Sequence, residues 1–217
     1  NYNGAASQTI KGTTYVTLKV NNTAGATLGG ATTLTTLTIG DVTLNSVFSD
    51  GGFTITPQAG SVLNLTSGTY KLGSAGTATT FPLYDTINIG ALTTVEYASA
   101  VAQTVSALPS YVNLTISGAS IKSLAGSIAI TGNLTIATTA TLNPAGFTVT
   151  GTGANTLSVT GTLQADQVNF NDTYISFETR TLNAGSTVNY NGAAQTIDNT
   201  LSYVNLKTSG SDTKSIT

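Results

Sequence analysis

The side chains able to do acid–base chemistry are few, and one short segment holds most of them. Asp166, Asp172, Glu178 and Arg180 form the only local cluster of charge in the sequence. Two carboxylates about 5–10 Å apart in a cleft would suit glycoside hydrolysis, one as acid and the other as base or nucleophile. The chain has no His and no Cys, which removes Ser-His-Asp and Cys-His nucleophile arrangements. The preferred reading of the cluster is a solvated, irregular loop. The chain is expected not to be an enzyme and to need no cofactor. Ser49-Asp50-Gly51-Gly52-Phe53 offers one carboxylate and two glycines, whereas hard cations want several oxygen ligands. It reads as a tight turn, with no metal expected.

Composition narrows the classes further. The 217 residues carry seven Lys and Arg against nine Asp and Glu, for a net charge of −2. The basic residues are scattered singly, so the footprint of a nucleic-acid binder is missing. No apolar run approaches the length of a transmembrane helix. No signal peptide and no Met are present, so the chain is expected to be a mature product or a piece of something longer. Without Cys, Met or Trp few side chains oxidise easily, which suits an extracellular or cell-surface location. Low charge with alternating Val, Ile and Leu argues for a folded chain.

The elements that must position these residues are short strands. In Gly132–Leu163 the segments "LTI", "ATL", "FTV" and "TLSV" alternate apolar residues with Thr or Ser, separated by Gly, Asn or Pro corners. Period-two alternation is the strand signal, and Thr and Val suit a pleated, half-buried surface. Gly and Asn supply corners of positive φ. No segment sustains the 3, 4, 7 spacing of a helix.

The strands recur in larger units. "NYNGAASQTIKGTTYVTL" at Asn1–Leu18 returns as "NYNGAAQTIDNTLSYVNL" at Asn189–Leu206, and in weaker form from Val95 to Gly118. Tyr2, Tyr97 and Tyr190 fall in register, as do Gln8, Gln103 and Gln195. The organisation is therefore repeat 1 over 1–95, repeat 2 over 96–188 and a partial repeat 3 over 189–217, forming one continuous solenoid. Both termini fall mid-repeat, as in a window cut through a periodic array.

A 94-residue all-β repeat admits two architectures: tandem immunoglobulin-like sandwiches, or a parallel β-solenoid of roughly 20–24 residues per coil. Strand length favours the solenoid. Sandwich strands usually run to five residues or more, and these alternations are mostly three to five. Leu114-Thr115-Ile116 and Leu134-Thr135-Ile136 lie one coil apart at a spacing of 20. Ten such coils at ~4.8 Å each would make a rod ~45–50 Å long. Its end coils would expose open edges that invite pairing with further strands.

The stretch "YVTLKVNNTAGATLGGATTLTTLTIGDVTL", preceded by "YNGAASQTI" and answered by "GNLTIATTATLNPAGFTVTGTG", resembles repeats of very large bacterial surface and secreted proteins. Those repeats follow the pattern "FNG…QTI…FYNLTINN…GVTLGG…VTVSGTLTL". The resemblance covers most of the chain and thins over 68–85 and 165–180. It implies a right-handed parallel β-solenoid in an extracellular adhesin, fibre or envelope coat, with no catalytic residues to carry over.

Where the repeats diverge, aromatic residues gather: Phe81 and Tyr84 in "FPLYDT", and Phe170, Tyr174 and Phe177 in "VNFNDTYISF". They are the candidate contact surface, for a sugar, a surface protein or another rod. The plainer and preferred reading is that they plug the core or cover a bulged corner. Outward Thr in "TTLTTLT" at Thr32–Thr38 suggests an ice-binding face, but the outward residue wanders among Thr, Ser, Asn and Lys. Asn-x-Thr triplets at Asn21, Asn64, Asn113, Asn133 and Asn171 would be glycosylation sites in an organism that modifies secreted proteins. The expected role is a self-associating structural rod in a fibre, filament or surface coat, partnered by its own copies end to end or laterally. An adhesin and an ice-binder are the alternatives.

Overall fold

A computed structural model describes residues 1–43 and 45–216. Leu44, which closes the long stretch quoted above, and Thr217, the last residue of the partial third repeat, lie outside the described residues. The chain is an all-β solenoid of about nine turns at about 22 residues per coil, with 2% helix. It divides into two compact units, Asn1–Gln103 and Thr104–Thr217. Among the described residues no helix is long and apolar enough to cross a membrane.

In the first unit two parallel ladders build the wall. One stacks Thr14–Val20 on Thr32–Ile39, then on the first half of Ile55–Leu72 and the start of Thr86–Tyr97. Its inward columns are Leu18–Leu37–Leu63 and Val20–Ile39–Leu65, all at 1% exposure or less. The other stacks Gln8–Ile10, Ala26–Leu28 and Ser46–Ser49 on the later halves of the two long strands. Ile55–Leu72 runs for 18 residues, well beyond the expected three to five. The chain turns the solenoid corner there with a register shift between Leu65 and Ser67 instead of breaking the strand. Gly68 makes this possible: its φ is 93°, and a Cβ would stand 2.0 Å from the Ser46 carbonyl oxygen.

Among the described residues the second unit has three longer parallel ladders and a two-stranded one, Gln195–Ile197 on Lys214–Ile216. Asn113–Ile116, Leu134–Ile136, Thr156–Val159 and Thr179–Leu182 form the first, and Leu134 pairs Leu114 as the spacing of 20 anticipated. Ser120–Leu124, Ala140–Asn143, Thr162–Ala165, Thr187–Tyr190 and Asn205–Thr208 form the second. Ile128–Ala129, Val149–Thr150 and Tyr174–Ile175 form the third. Outward on the first face, Thr115, Thr135, Ser158 and Thr181 stack in a column of hydroxyls. One helical turn, Phe170–Thr173, interrupts the β pattern. Asp172 closes it by accepting from the Asn169 backbone N–H at 3.1 Å, a local device too short to leave a helical period.

The repeated phrase also gains a structural reason. Gln8, Gln103 and Gln195 each fold their amide back into a corner. The Oε1 atoms accept from the backbone N–H of Gly4 at 3.0 Å, Ser99 at 3.2 Å and Gly192 at 2.8 Å respectively. Nε2 of Gln103 donates to the carbonyls of Leu72 and Thr79, and that of Gln195 to those of Ala165 and Gln167. One side chain thus satisfies backbone groups that the strand ladders leave over at the corner. The repeated tyrosines meet as pairs: Tyr2 and Tyr15 hydroxyls are 3.2 Å apart, Tyr190 and Tyr203 hydroxyls 2.6 Å.

Candidate functional site

The four charged residues singled out in the sequence are not brought together as an acid–base pair. Asp166 accepts from the Gly146 N–H at 2.6 Å, Asp172 caps its own helical turn, and Glu178 is exposed. Arg180 pairs instead with Asp198 at 3.8 Å. Its register explains why. Arg180 aligns with Leu157, continuing the inward column Leu114–Leu134–Leu157, so a guanidinium stands where an aliphatic side chain would. The Phe170 ring covers it at 5.5 Å.

The five aromatic candidates are corrected in the same way. Phe81, Tyr84, Phe170, Tyr174 and Phe177 are all buried, at 7% exposure or less, and present no contact surface. Each loop turns its rings inward to fill space that a plain coil would fill with Leu or Val. Phe48, Tyr70, Phe81 and Tyr84 run ring to ring at 5.3, 5.7 and 6.4 Å in the first unit. Phe170 and Tyr174 lie 5.1 Å apart in the second, and the Tyr174 hydroxyl donates to the Gln164 carbonyl at 2.7 Å.

Apart from Val168, what the second loop exposes is polar. Asn169, Asn171 and Asp172 face Thr196, Ile197, Asp198 and Asn199 across an open notch of about 220 Å³. A single parallel bridge between Asn169 and Thr196 forms one side. Asn171 donates to Asp198 at 3.3 Å, and Asp198 also accepts from the Thr200 N–H and hydroxyl. The lining is dense in amide and carboxylate groups and poor in apolar surface. Among the described residues no group of three or more His, Cys, Asp or Glu could hold a metal ion.

An acid and an amine are buried at positions where the sequence pattern gives no sign of it. Asp50, in the expected tight turn, is 1% exposed. Its Oδ1 accepts from the N–H groups of Gly52 and Gly73, both at 2.8 Å, and its Oδ2 accepts a short hydrogen bond from the Thr79 hydroxyl. Burial pushes its carboxyl above the usual range, although those three donors pull the other way. The turn therefore does more than reverse the chain: it ties the strandless segment carrying Phe81 and Tyr84 to the wall.

Lys122 is the other. Within Ser120–Leu124 the strand turns Ile121 outward and Lys122 inward. Ile121 is 41% exposed, while Lys122 is fully buried and heads the column Leu142–Leu163–Val188. Its Nζ donates to the Ala119 carbonyl at 2.6 Å, and burial lowers its pKa. A depressed amine gives stability that is present above the ordinary lysine range and lost as pH falls through the folded value. Lys122→Met, close in volume and uncharged, is expected to raise stability at pH 7 by about 1–2 kcal/mol. Urea midpoints measured at pH 7 and pH 10 check this: the advantage of the variant should shrink at the higher pH.

No protein-family model matches the chain, and no curated protein or solved structure does.

Proposed function

We propose that the chain is a non-enzymatic structural repeat protein of the extracellular or cell-surface space. It serves as a stiff β-solenoid rod in a fibre, filament or surface coat and associates with its own copies. The observation that carries this reading is the wall itself: coil after coil in each unit repeats mostly aliphatic inward columns and outward columns made largely of hydroxyl and amide side chains. Such stacking gives each coil its stability from its neighbours. Outward faces with few charges let rods lie side by side with little repulsion.

Negative-stain microscopy of native material, with sedimentation across a concentration series, tests the reading. Filaments or laterally bundled rods are expected. Isolated compact particles at every concentration would remove self-association, and protection from surface labelling on intact source cells would remove the location.

A second reading, an adhesin for a neutral saccharide, draws on the Asn- and Asp-lined notch instead of the aromatic residues. Closely spaced amides and carboxylates can bridge vicinal hydroxyls, and the polar lining disfavours an apolar ligand. Glycan-array binding lost on Asn171→Ala or Asn199→Ala would support it, and binding unchanged by both substitutions would dismiss the notch.

A further inference from the structure

The corner that begins each repeat carries an Asn–Gly step twice, at Asn3–Gly4 and Asn191–Gly192, in the identical context Tyr-Asn-Gly-Ala-Ala. Asn–Gly is the sequence most prone to succinimide formation, because glycine leaves the following backbone nitrogen open to approach. In that reaction the glycine nitrogen attacks the asparagine Cγ and loses its proton. A new N–Cγ bond forms, the Cγ–Nδ2 bond breaks, and the amide leaves as ammonia. Water then opens the ring to aspartate or isoaspartate.

The two steps share their chemistry but differ in their surroundings. At Asn191 the attacking nitrogen is held: the Gly192 N–H donates to Gln195 Oε1 at 2.8 Å, and Gln195 is 3% exposed. The Asn191 N–H donates to the Ala165 carbonyl, and its Nδ2 donates to Gln164 Oε1 at 3.3 Å. The corner is stacked on both sides. A Cβ on Gly192 would stand 2.3 Å from the Asp166 carbonyl oxygen, and one on Gly210 would stand 2.3 Å from that of Asn191. Its hydrogen bond to Gln164 holds the Asn191 side chain in place. Asn3, by contrast, is exposed, and although the Gly4 N–H likewise donates to Gln8 Oε1 at 3.0 Å, that glutamine is only half-buried.

We propose that Asn191–Gly192 is a latent deamidation site, closed by Gln195 and by coil stacking and spent irreversibly when that corner opens, whereas Asn3–Gly4 converts from the folded state. Conversion at Asn191 also prevents the corner from closing again. Asn191 Oδ1 is buried with no hydrogen-bond donor, so aspartate would place charge on an oxygen that nothing compensates. Isoaspartate would lengthen a backbone whose N–H is committed to the Ala165 carbonyl. The middle repeat is immune, because Ala98-Ser99 replaces Asn–Gly while Gln103 keeps the same bond to the Ser99 N–H.

The test is peptide mapping by mass spectrometry of the intact chain incubated at mildly alkaline pH, with and without urea. In the folded chain Asn3 is expected to convert about tenfold faster than Asn191 or more. In denaturing urea the two rates should converge, since their local sequences match. In Gln195→Ala, with the native β circular-dichroism signal retained, the Asn191 rate should rise towards that of Asn3. Equal rates in the folded wild type would overturn the proposal, as would two rates that stay apart in urea. Should Gln195→Ala fail to fold, hydrogen exchange of wild-type Gly192 decides: an amide no better protected than Gly4 overturns it, and stronger protection supports it.

Discussion

Asp50→Ala is expected to lower the stability of the first unit by about 3 kcal/mol, while Asp50→Asn costs less than about 1 kcal/mol. Alanine leaves the Gly52 N–H, the Gly73 N–H and the Thr79 hydroxyl without their acceptor around a carboxylate position that is 1% exposed. Buried donors left unsatisfied cost roughly 1–3 kcal/mol each, partly relieved where the segment can move out to solvent. Asparagine keeps an acceptor for the two backbone groups and can donate to Thr79 once the hydroxyl rotates. The sign of the pH dependence separates this from simple loss of a salt bridge. Because the folded carboxyl lies above its ordinary range, its contribution is fully present below the unfolded value and declines as pH rises through the folded one. Asparagine does not titrate, so Asp50→Asn should compare best with wild type at pH 7 and worst near pH 4. Urea midpoints at those two pH values check the ordering, and a wild type that gains on Asp50→Asn as pH rises would contradict it.

What could be foreseen from the sequence was whatever depends on a local period. Thr and Ser alternating with Leu, Ile or Val fixes which residues face inward, and Leu114, Leu134 and Leu157 stack as that pattern requires. The in-register Gln8, Gln103 and Gln195 announced equivalent positions, though not their use as corner clamps. Ile55–Leu72 was hidden because a strand bent through a corner at Gly68 looks, residue by residue, like two strands and a turn. Arg180 falls in the sequence's only local cluster of charge because Glu178 lies two positions away. The coil instead carries Asp198 to it from 18 positions away. Lys122 departs from its local pattern for a related reason. Alternation says that one of Ile121 and Lys122 faces inward, and hydrophobicity selects the wrong one when the strand is set by its neighbours' register. Those exceptions fall where a column must accept a residue that its period would reject.

Gln195→Glu applies that idea to the clamp, and its effect is expected to rival that of Asp50→Ala. The wild-type amide is polarised to suit its corner: the oxygen faces the Gly192 N–H, and the nitrogen faces the Ala165 and Gln167 carbonyls at 2.8 and 2.7 Å. A carboxylate is nearly isosteric, yet it presents oxygen to both carbonyls with no proton between them. Burying that arrangement is expected to cost about 3 kcal/mol at pH 7. Two carbonyl oxygens at hydrogen-bond range, together with burial, favour the protonated acid in the folded state, so the folded pKa rises above that of free glutamate. By the same linkage as before, the stability is present below the unfolded value and lost as pH rises through the folded one. Near pH 4 the acid can donate to one of the two carbonyls, and the variant should approach wild type; between pH 5 and 7 its urea midpoint should fall steeply. Gln103→Glu meets the Leu72 and Thr79 carbonyls at 3.2 and 2.9 Å and should show the same slope, less steeply for the longer contacts. A flat pH profile in both variants would mean that the corners open without loss of the coil, and that the glutamines, for all their regularity in the sequence, are not what keeps the coils stacked.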